Sequence, residues 1–203
     1  EHWDELVQHW GAEKVEEISM AVTLMSWAYQ YSVFGKKCIN YNHSQRSMKT
    51  ILLLVGKTQS KIFREGIDDY TSRIKHYMPF SITTIPELKN TKNLSEEQQK
   101  QKEGELIMKE IQPTDTIVLL DEHGSELTSV QYADWLTRKQ NTARRLVFVI
   151  GGPYGFSQEV YTRANDKISL SRMTFSHQMV RLIFTEQLYR ACTIIKGEPY
   201  HHE

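Results

Sequence analysis

The residues with most to offer chemically lie between 146 and 203. An apolar run, Leu146-Val-Phe-Val-Ile150, empties into Gly151-Gly-Pro-Tyr-Gly155, so a buried strand ends in a loop nearly stripped of side chains. Glycines there let backbone approach a ligand closely, and Pro153 stiffens the turn. The loop has neither the GxGxxG spacing of a dinucleotide fold nor the GK[ST] of a phosphate loop, which argues against an ordinary Rossmann or kinase site. Alone it serves equally as turn chemistry. Farther on, Leu170-Ser-Arg-Met-Thr-Phe175 alternates apolar and polar residues before a helix. Its backbone amides and carbonyls could bond a purine edge, or it could be a plain strand end feeding a capped helix. His177 and Arg181 stand one helical turn apart as a polar edge for an anionic partner, or as an exposed helix start resembling the i,i+4 pair Glu186 and Arg190. The tail Gly197-Glu-Pro-Tyr-His-His-Glu203 ends in rings that could stack on a base or accept a proton, or could fray. Asp121-Glu-His123 has metal-binding residue types, but three adjacent side chains rarely converge on one ion.

The elements that must position these groups alternate. Strands are expected at Ile51–Val55, Phe80–Ile85, Thr116–Leu120, Arg145–Ile150 and Lys167–Leu170. Helices are expected at Lys61–His76, from the Ser95 cap to Ile111 before Pro113, at Thr128–Lys139, Ser157–Ala164 and Gln178–Ile195. This order predicts an α/β fold with a mainly parallel sheet covered on both faces. Ligands of such sheets sit outside the carboxyl ends of the strands, which makes the loops after Leu120, Ile150 and Leu170 the expected pocket. Lys89–Lys102 reads as a surface loop running into a helix. Residues 1–47 differ, with Trp3, Trp10 and Trp27 and a spacing that suits amphipathic helix. The polar stretch Tyr41–Ser47 separates them from Met48-Lys-Thr and the first strand, so the domain is expected to run over 48–203 behind an N-terminal extension.

With 203 residues and an apolar fraction of 39%, the chain can build one domain of ordinary size. Lys plus Arg (25) balance Asp plus Glu (25), but ten cations against three anions fall between Arg138 and Lys196. That half is expected to face an anion, unless the charges are simply solvated. Cys38 and Cys192 are far apart and in no metal spacing, so neither a disulfide framework nor a zinc site is expected, and a reduced cytoplasm is the natural setting. No apolar run reaches the roughly 18 residues of a membrane span, and Glu1-His-Trp-Asp-Glu5 is unlike the basic start of a signal peptide. The expectation is a soluble, unexported protein.

Taken together, Val147–Gly155, Leu170–His177, Val180-Arg-Leu182, Glu186–Ala191 and Gly197–His201 resemble the bacterial large-subunit ribosomal RNA pseudouridine methyltransferases of the SPOUT superfamily. The likeness runs in order from Met48 to Glu203 and includes Leu119-Leu-Asp121 and Leu53–Lys57. It implies a SPOUT-type α/β domain with a C-terminal trefoil knot, which general topology rules would not suggest. It also implies a homodimer that binds S-adenosylmethionine and methylates N3 of a pseudouridine in a large-subunit rRNA stem-loop, on assembled ribosomal particles. Carried over by motif, cofactor contacts fall on Leu120, Gly151, Leu170, Ser171, Arg172, Met173, Thr174 and Phe175. The tail has His202 where relatives commonly carry a basic residue, and residues 1–47 have no counterpart.

Methyl transfer from a sulfonium needs positioning above all, while the imide N3 carries a proton whose removal speeds attack. His201 is the first candidate for that role, since an unperturbed histidine titrates near ~6.5. Tyr200, His177 and Arg181 are the alternatives, Arg181 being better suited to phosphate or developing negative charge. Two competing readings are another nucleotide-using α/β enzyme and a non-catalytic ribosome-binding protein. Cofactor calorimetry separates the first, and the absence of a methyl mark the second.

Overall fold

The computed structural model describes residues 48–201. The expected helical extension over 1–47, and the tail residues His202 and Glu203, lie outside the described residues.

Five strands, β1 (Lys49–Val55), β2 (Phe80–Ile85), β3 (Thr116–Glu126), β4 (Arg145–Ile150) and β5 (Asp166–Ser169), form one parallel sheet in the order β2-β1-β4-β3-β5. Five α-helices connect or follow them: α1 (Lys61–Ile74), α2 (Glu96–Glu110), α3 (Ser129–Thr142), α4 (Gln158–Arg163) and α5 (Met179–Lys196). The continuous apolar runs of β1 and β4 follow from burial on both faces. Alternate residues separate accordingly. Leu52, Leu54, Phe148 and Ile150 join Ile74 of α1, Leu136 of α3 and Phe184 and Leu188 of α5 in one core. Ile51, Leu53, Val147 and Val149 join Ile107 of α2 and Val160 of α4 in the other.

The helix starts are written in local chemistry. Ser95 accepts from the Gln98 amide while the Gln98 side chain accepts from the Ser95 amide, and Thr128 and Gln131 repeat the reciprocal cap. Gly197, at φ 68°, closes α5 in the left-handed region that glycine adopts without strain.

One element departs from expectation. β3 continues past Leu120 to Glu126, and its pairing with β5 slips, so that Leu120 and Ser125 both lie opposite Ile168. The polar run Asp121–Ser125 has no apolar alternation to announce a strand. It is held there by backbone proximity instead: a Cβ on Gly124 would lie 2.6 Å from the Ile168 backbone nitrogen and carbonyl carbon. The slipped residues carry Asp121, Glu122 and His123 out of the ladder, at the carboxyl end of the sheet.

Candidate active site

At that end of β3, β4 and β5 lies a cleft of about 700 Å³, within the range of about 300–1,000 Å³ typical of small-molecule sites. Three loops make it. From β3 come Leu120 and Asp121, from the β4–α4 turn Gly151 to Phe156, and from the β5–α5 connection Leu170, Ser171, Met173, Thr174, Phe175 and His177. The expected cofactor residues therefore meet in one place, apart from Arg172. That side chain is exposed and points its Nε at Glu126 Oε2, 2.9 Å away.

The glycine loop is closed by a bridge between Gly152 and Gly155, with the Gly155 amide donating to the Gly152 carbonyl at 3.3 Å. Gly155 needs its residue type for its φ of 84°. Gly152 needs it for space, since a Cβ there would lie 2.3 Å from Glu103 Oε2. Glu103 comes from α2, is 4% exposed, and accepts from Gln99 Nε2 at 2.8 Å through Oε1, while Oε2 has no partner among the described residues. Burial pushes its carboxyl above the usual carboxylate range, the Gln99 bond opposing the shift. Sequence reasoning missed Glu103. The available signal was a Glu-Gly pair three and four residues before the buried Ile107, where helical periodicity calls for apolar side chains.

In the β5–α5 connection, Ser169 Oγ donates to the Ser171 carbonyl and Ser171 Oγ accepts from the Met173 amide, both at 2.9 Å. These bonds turn the chain so that Met173, 77% exposed, stands at the cleft mouth. Across the cleft, the Tyr161 hydroxyl donates to the Asp121 carboxylate. Burial first, and that bond second, raise the phenol's pKa well above its ordinary value, so Tyr161 remains a neutral donor. Asp121 also accepts from the His123 amide at 2.8 Å. Among the described residues no cluster of three or more His, Cys, Asp or Glu side chains is arranged to hold a metal.

The four candidates for chemistry separate. His177 lines the cleft. Arg181 does not share an edge with it, because α5 begins only at Met179 and the helical spacing does not extend back to 177. Arg181 is instead fully buried, donating to the Val55 carbonyl (2.7 Å), the Gly56 carbonyl (2.9 Å) and Thr58 Oγ1 (3.0 Å). It ties the carboxyl end of β1 to the start of α5, supplying donors to the Val55 and Gly56 carbonyls. Tyr200 and His201 do not line the cleft. The tail folds back on the middle of α5, with the Tyr200 hydroxyl 3.1 Å from Glu186 Oε1 and 3.4 Å from the Tyr70 hydroxyl of α1. Tyr77, in the turn after α1, donates to Glu198, and Tyr189 meets the Tyr200 ring edge-on at 4.8 Å. Burial, then the Tyr70 and Glu186 bonds, raise the Tyr200 pKa well beyond its usual range.

The cationic excess between Arg138 and Lys196 is dispersed by the fold. Arg163 donates to the carbonyls of Gln112, Pro113 and Asp115 at 3.0–3.1 Å, and Arg145 pairs with the buried Asp115 at 3.4 Å. Lys139 pairs with Asp166, and Arg190 with Glu186. With Arg181 buried, a good part of the charge expected to face an anion is engaged within the protein, leaving Arg138, Arg144, Lys167, Arg172 and Lys196 as its exposed cations, Arg172 paired with Glu126. No helix among the described residues is long and apolar enough to cross a membrane.

Residues 48–201 match a family model described as "Predicted SPOUT methyltransferase". Similar proteins include one from Bacteroides thetaiotaomicron, 62% identical over 157 residues, which cover 77% of this chain and all of that one. Others come from Bacteroides fragilis, 60% identical over the same shares of both chains, and Flavobacterium johnsoniae, 54% identical. All three carry the name Ribosomal RNA large subunit methyltransferase H.

Proposed function

The chain belongs to the SPOUT methyltransferase family, and from that premise we propose that it uses S-adenosylmethionine to methylate N3 of a pseudouridine in large-subunit (23S) ribosomal RNA. It acts in the cytoplasm on a stem-loop of the assembled ribosome, as a homodimer. The observation that carries the reading is the convergence of Leu120, Gly151 and the Leu170–Phe175 run on one cleft at the carboxyl ends of β3, β4 and β5. In this reading those segments form the trefoil knot, and the strand slip opposite Ile168 lies within it.

The residues present suit the cofactor. Leu120, Ile150, Leu170 and Val180 offer an apolar floor, while glycines remove side chains where a ligand must meet backbone. When bound, S-adenosylmethionine supplies an electrophilic methyl group. The rest is the work of this chain. The loops exclude water and hold the reactants in line, Arg181 positions the start of α5, and His177 stands at the edge where RNA enters. His201 acts at the imide, with Tyr200 beside it. In one chain the tail docks beside Glu186, about 9 Å along the helix from Val180 and on another side of it. The homodimer therefore matters to catalysis: one protomer's tail serves its partner's cleft.

The test is incubation of the protein with labelled S-adenosylmethionine and unmodified ribosomes, followed by mass spectrometry of rRNA fragments. Label on one large-subunit pseudouridine is expected. Bound cofactor without label on rRNA would overturn the reading.

A further inference from the structure

The tail is docked through a chain of hydrogen bonds whose directions follow from the donors and acceptors that make them. Glu186 Oε1 accepts from Arg190 Nη2 at 2.6 Å, from Arg190 Nε at 3.1 Å and from the Tyr200 hydroxyl at 3.1 Å. Tyr200 thus has its hydrogen committed and receives that of Tyr70. At the other end, Arg190 Nη1 lies 3.4 Å from His201 Nδ1. A guanidinium has five N–H donors and no lone pair to offer, so the hydrogen between them belongs to Arg190 and Nδ1 must be the acceptor. A neutral imidazole whose Nδ1 accepts carries its own hydrogen on Nε2, and an imidazolium would set two N–H groups and two positive charges against each other. Among the described residues, the charged and titratable groups joined to the ring by this chain of bonds are Arg190 and Glu186 from α5, Tyr70 from α1 and Tyr200 from the tail. None of them is an acceptor that would draw the hydrogen to Nδ1 once Glu186 is held by Arg190 and Tyr200.

We infer that His201 meets the target base as an N–H donor through Nε2, not as its proton acceptor, and that Arg190 is the positioning residue that sets this role. The inference rests on the reading of the tail as the group that meets the base. The step balances without a protein base. The imide loses its N3 proton to solvent, and the resulting anion spreads its charge over the adjacent carbonyl oxygens. The Nε2–H of His201 donates to one of those oxygens. The N3 lone pair then forms the N–CH₃ bond as the S–CH₃ bond breaks and its electron pair returns to sulfur. His201 keeps its hydrogen throughout.

The experiment uses the full chain labelled with ¹⁵N-histidine, with His201 assigned by the signal lost in His201→Gln. Long-range ¹H–¹⁵N spectra at pH 7.5 are expected to show Nδ1 bare and Nε2 protonated, and Arg190→Met is expected to change the Nδ1 signature. A hydrogen on Nδ1, or an unchanged signature in Arg190→Met, overturns the inference. Both results are independent of methylation, so failure of the proposed reaction is distinguished from failure of the tautomer. In single turnovers on ribosomes, glutamine, which donates but takes up no proton at this pH, should hold His201→Gln within about tenfold of the parent. His201→Ala should lose the roughly 10²–10³-fold that one oxyanion donor supplies. The parent rate should keep rising above the ordinary histidine range near ~6.5, as solvent removes more of the imide proton. Equal losses in the two variants, or a plateau above that range, would show His201 to be the base.

Discussion

Substituting Gly124 tests whether the slipped crossing of β3 and β5 shapes the cleft. The nearest atoms to a Cβ at this position are all backbone: Ile168 carbonyl carbon and nitrogen at 2.6 Å and Lys167 carbonyl carbon at 2.7 Å. No rotamer change can relieve these contacts, so the strands themselves must separate. Overpacking of this kind costs typically about 1–3 kcal/mol, and with the nearest contacts all backbone and all under 3 Å the upper end applies. Gly197→Ala supplies the control. Its φ of 68° is strained for alanine, but nothing lies within 4 Å of the new methyl group, so only the left-handed penalty of about 1–2 kcal/mol applies. At an m-value of about 2 kcal/mol/M in urea, Gly124→Ala should lower the midpoint by about 1.5 M and Gly197→Ala by about 0.5–1 M. Protein concentration must be held equal, since the stability of the proposed dimer would depend on it. Because Leu120, Asp121 and Ile168–Leu170 line the cleft on either side of the crossing, Gly124→Ala should also weaken S-adenosylmethionine binding by calorimetry, and Gly197→Ala should not. A Gly124→Ala protein as stable as Gly197→Ala, with unchanged cofactor affinity, would refute the reasoning.

Other outcomes follow from particular groups. Glu103 has its folded pKa raised by burial, so its protonated form favours the fold. Its contribution is fully present below the ordinary glutamate value of about 4.3 and lost as pH rises through the folded value. Glu103→Gln should therefore gain stability over the parent at neutral pH and lose that advantage near pH 4, read by urea unfolding at both. Affinity for ribosomal particles should fall with salt. Replacing exposed Arg144 or Arg138 should reduce the slope of log affinity against log salt by about one if it contacts phosphate. Arg163→Met, which removes the donor shared by the Gln112, Pro113 and Asp115 carbonyls, should cost stability and leave that slope unchanged; a reduced slope would return Arg163 to the RNA face.

The sheet was legible because strands buried on both faces read as unbroken apolar runs, and because Ser95 with Gln98 and Thr128 with Gln131 mark helix starts by local chemistry alone. The cleft followed from the rule for carboxyl ends of parallel strands. What was hidden depends on partners far off in sequence. Arg181 looked like an anion-facing cation because its acceptors are carbonyls 125 and 126 residues earlier, at Gly56 and Val55. The extension of β3 has no pattern of its own, since it is dictated by the backbone of β5. The tail's dock needs Tyr70 and Tyr77, which lie 130 and 121 residues from Tyr200 and Glu198. Glu186 and Arg190 read as an ordinary surface pair until the tail closed over them.

Mixing of disabled protomers decides whether the tail serves its own cleft or its partner's. The structure separates the two in one chain: the cleft lies at the start of α5 with Val180, while Tyr200 rests on Glu186 and His201 on Arg190. A two-fold axis repeats every surface, so a tail remote from its own cleft can still complete the cleft opposite. The test pairs His201→Ala, which keeps the cleft, with Gly151→Val, whose side chain would crowd Phe156, already 3.0 Å from a bare Cβ. Each homodimer should be nearly inactive. If the tail acts across the dimer, a mixed dimer joins the intact cleft of one protomer to the intact tail of the other and restores one site of two. With random exchange, half of the dimers are mixed, so an equimolar mixture should recover roughly a quarter of the parent activity per chain. If the tail acts on its own cleft, no mixed dimer contains a complete site and the mixture stays as inactive as its parts.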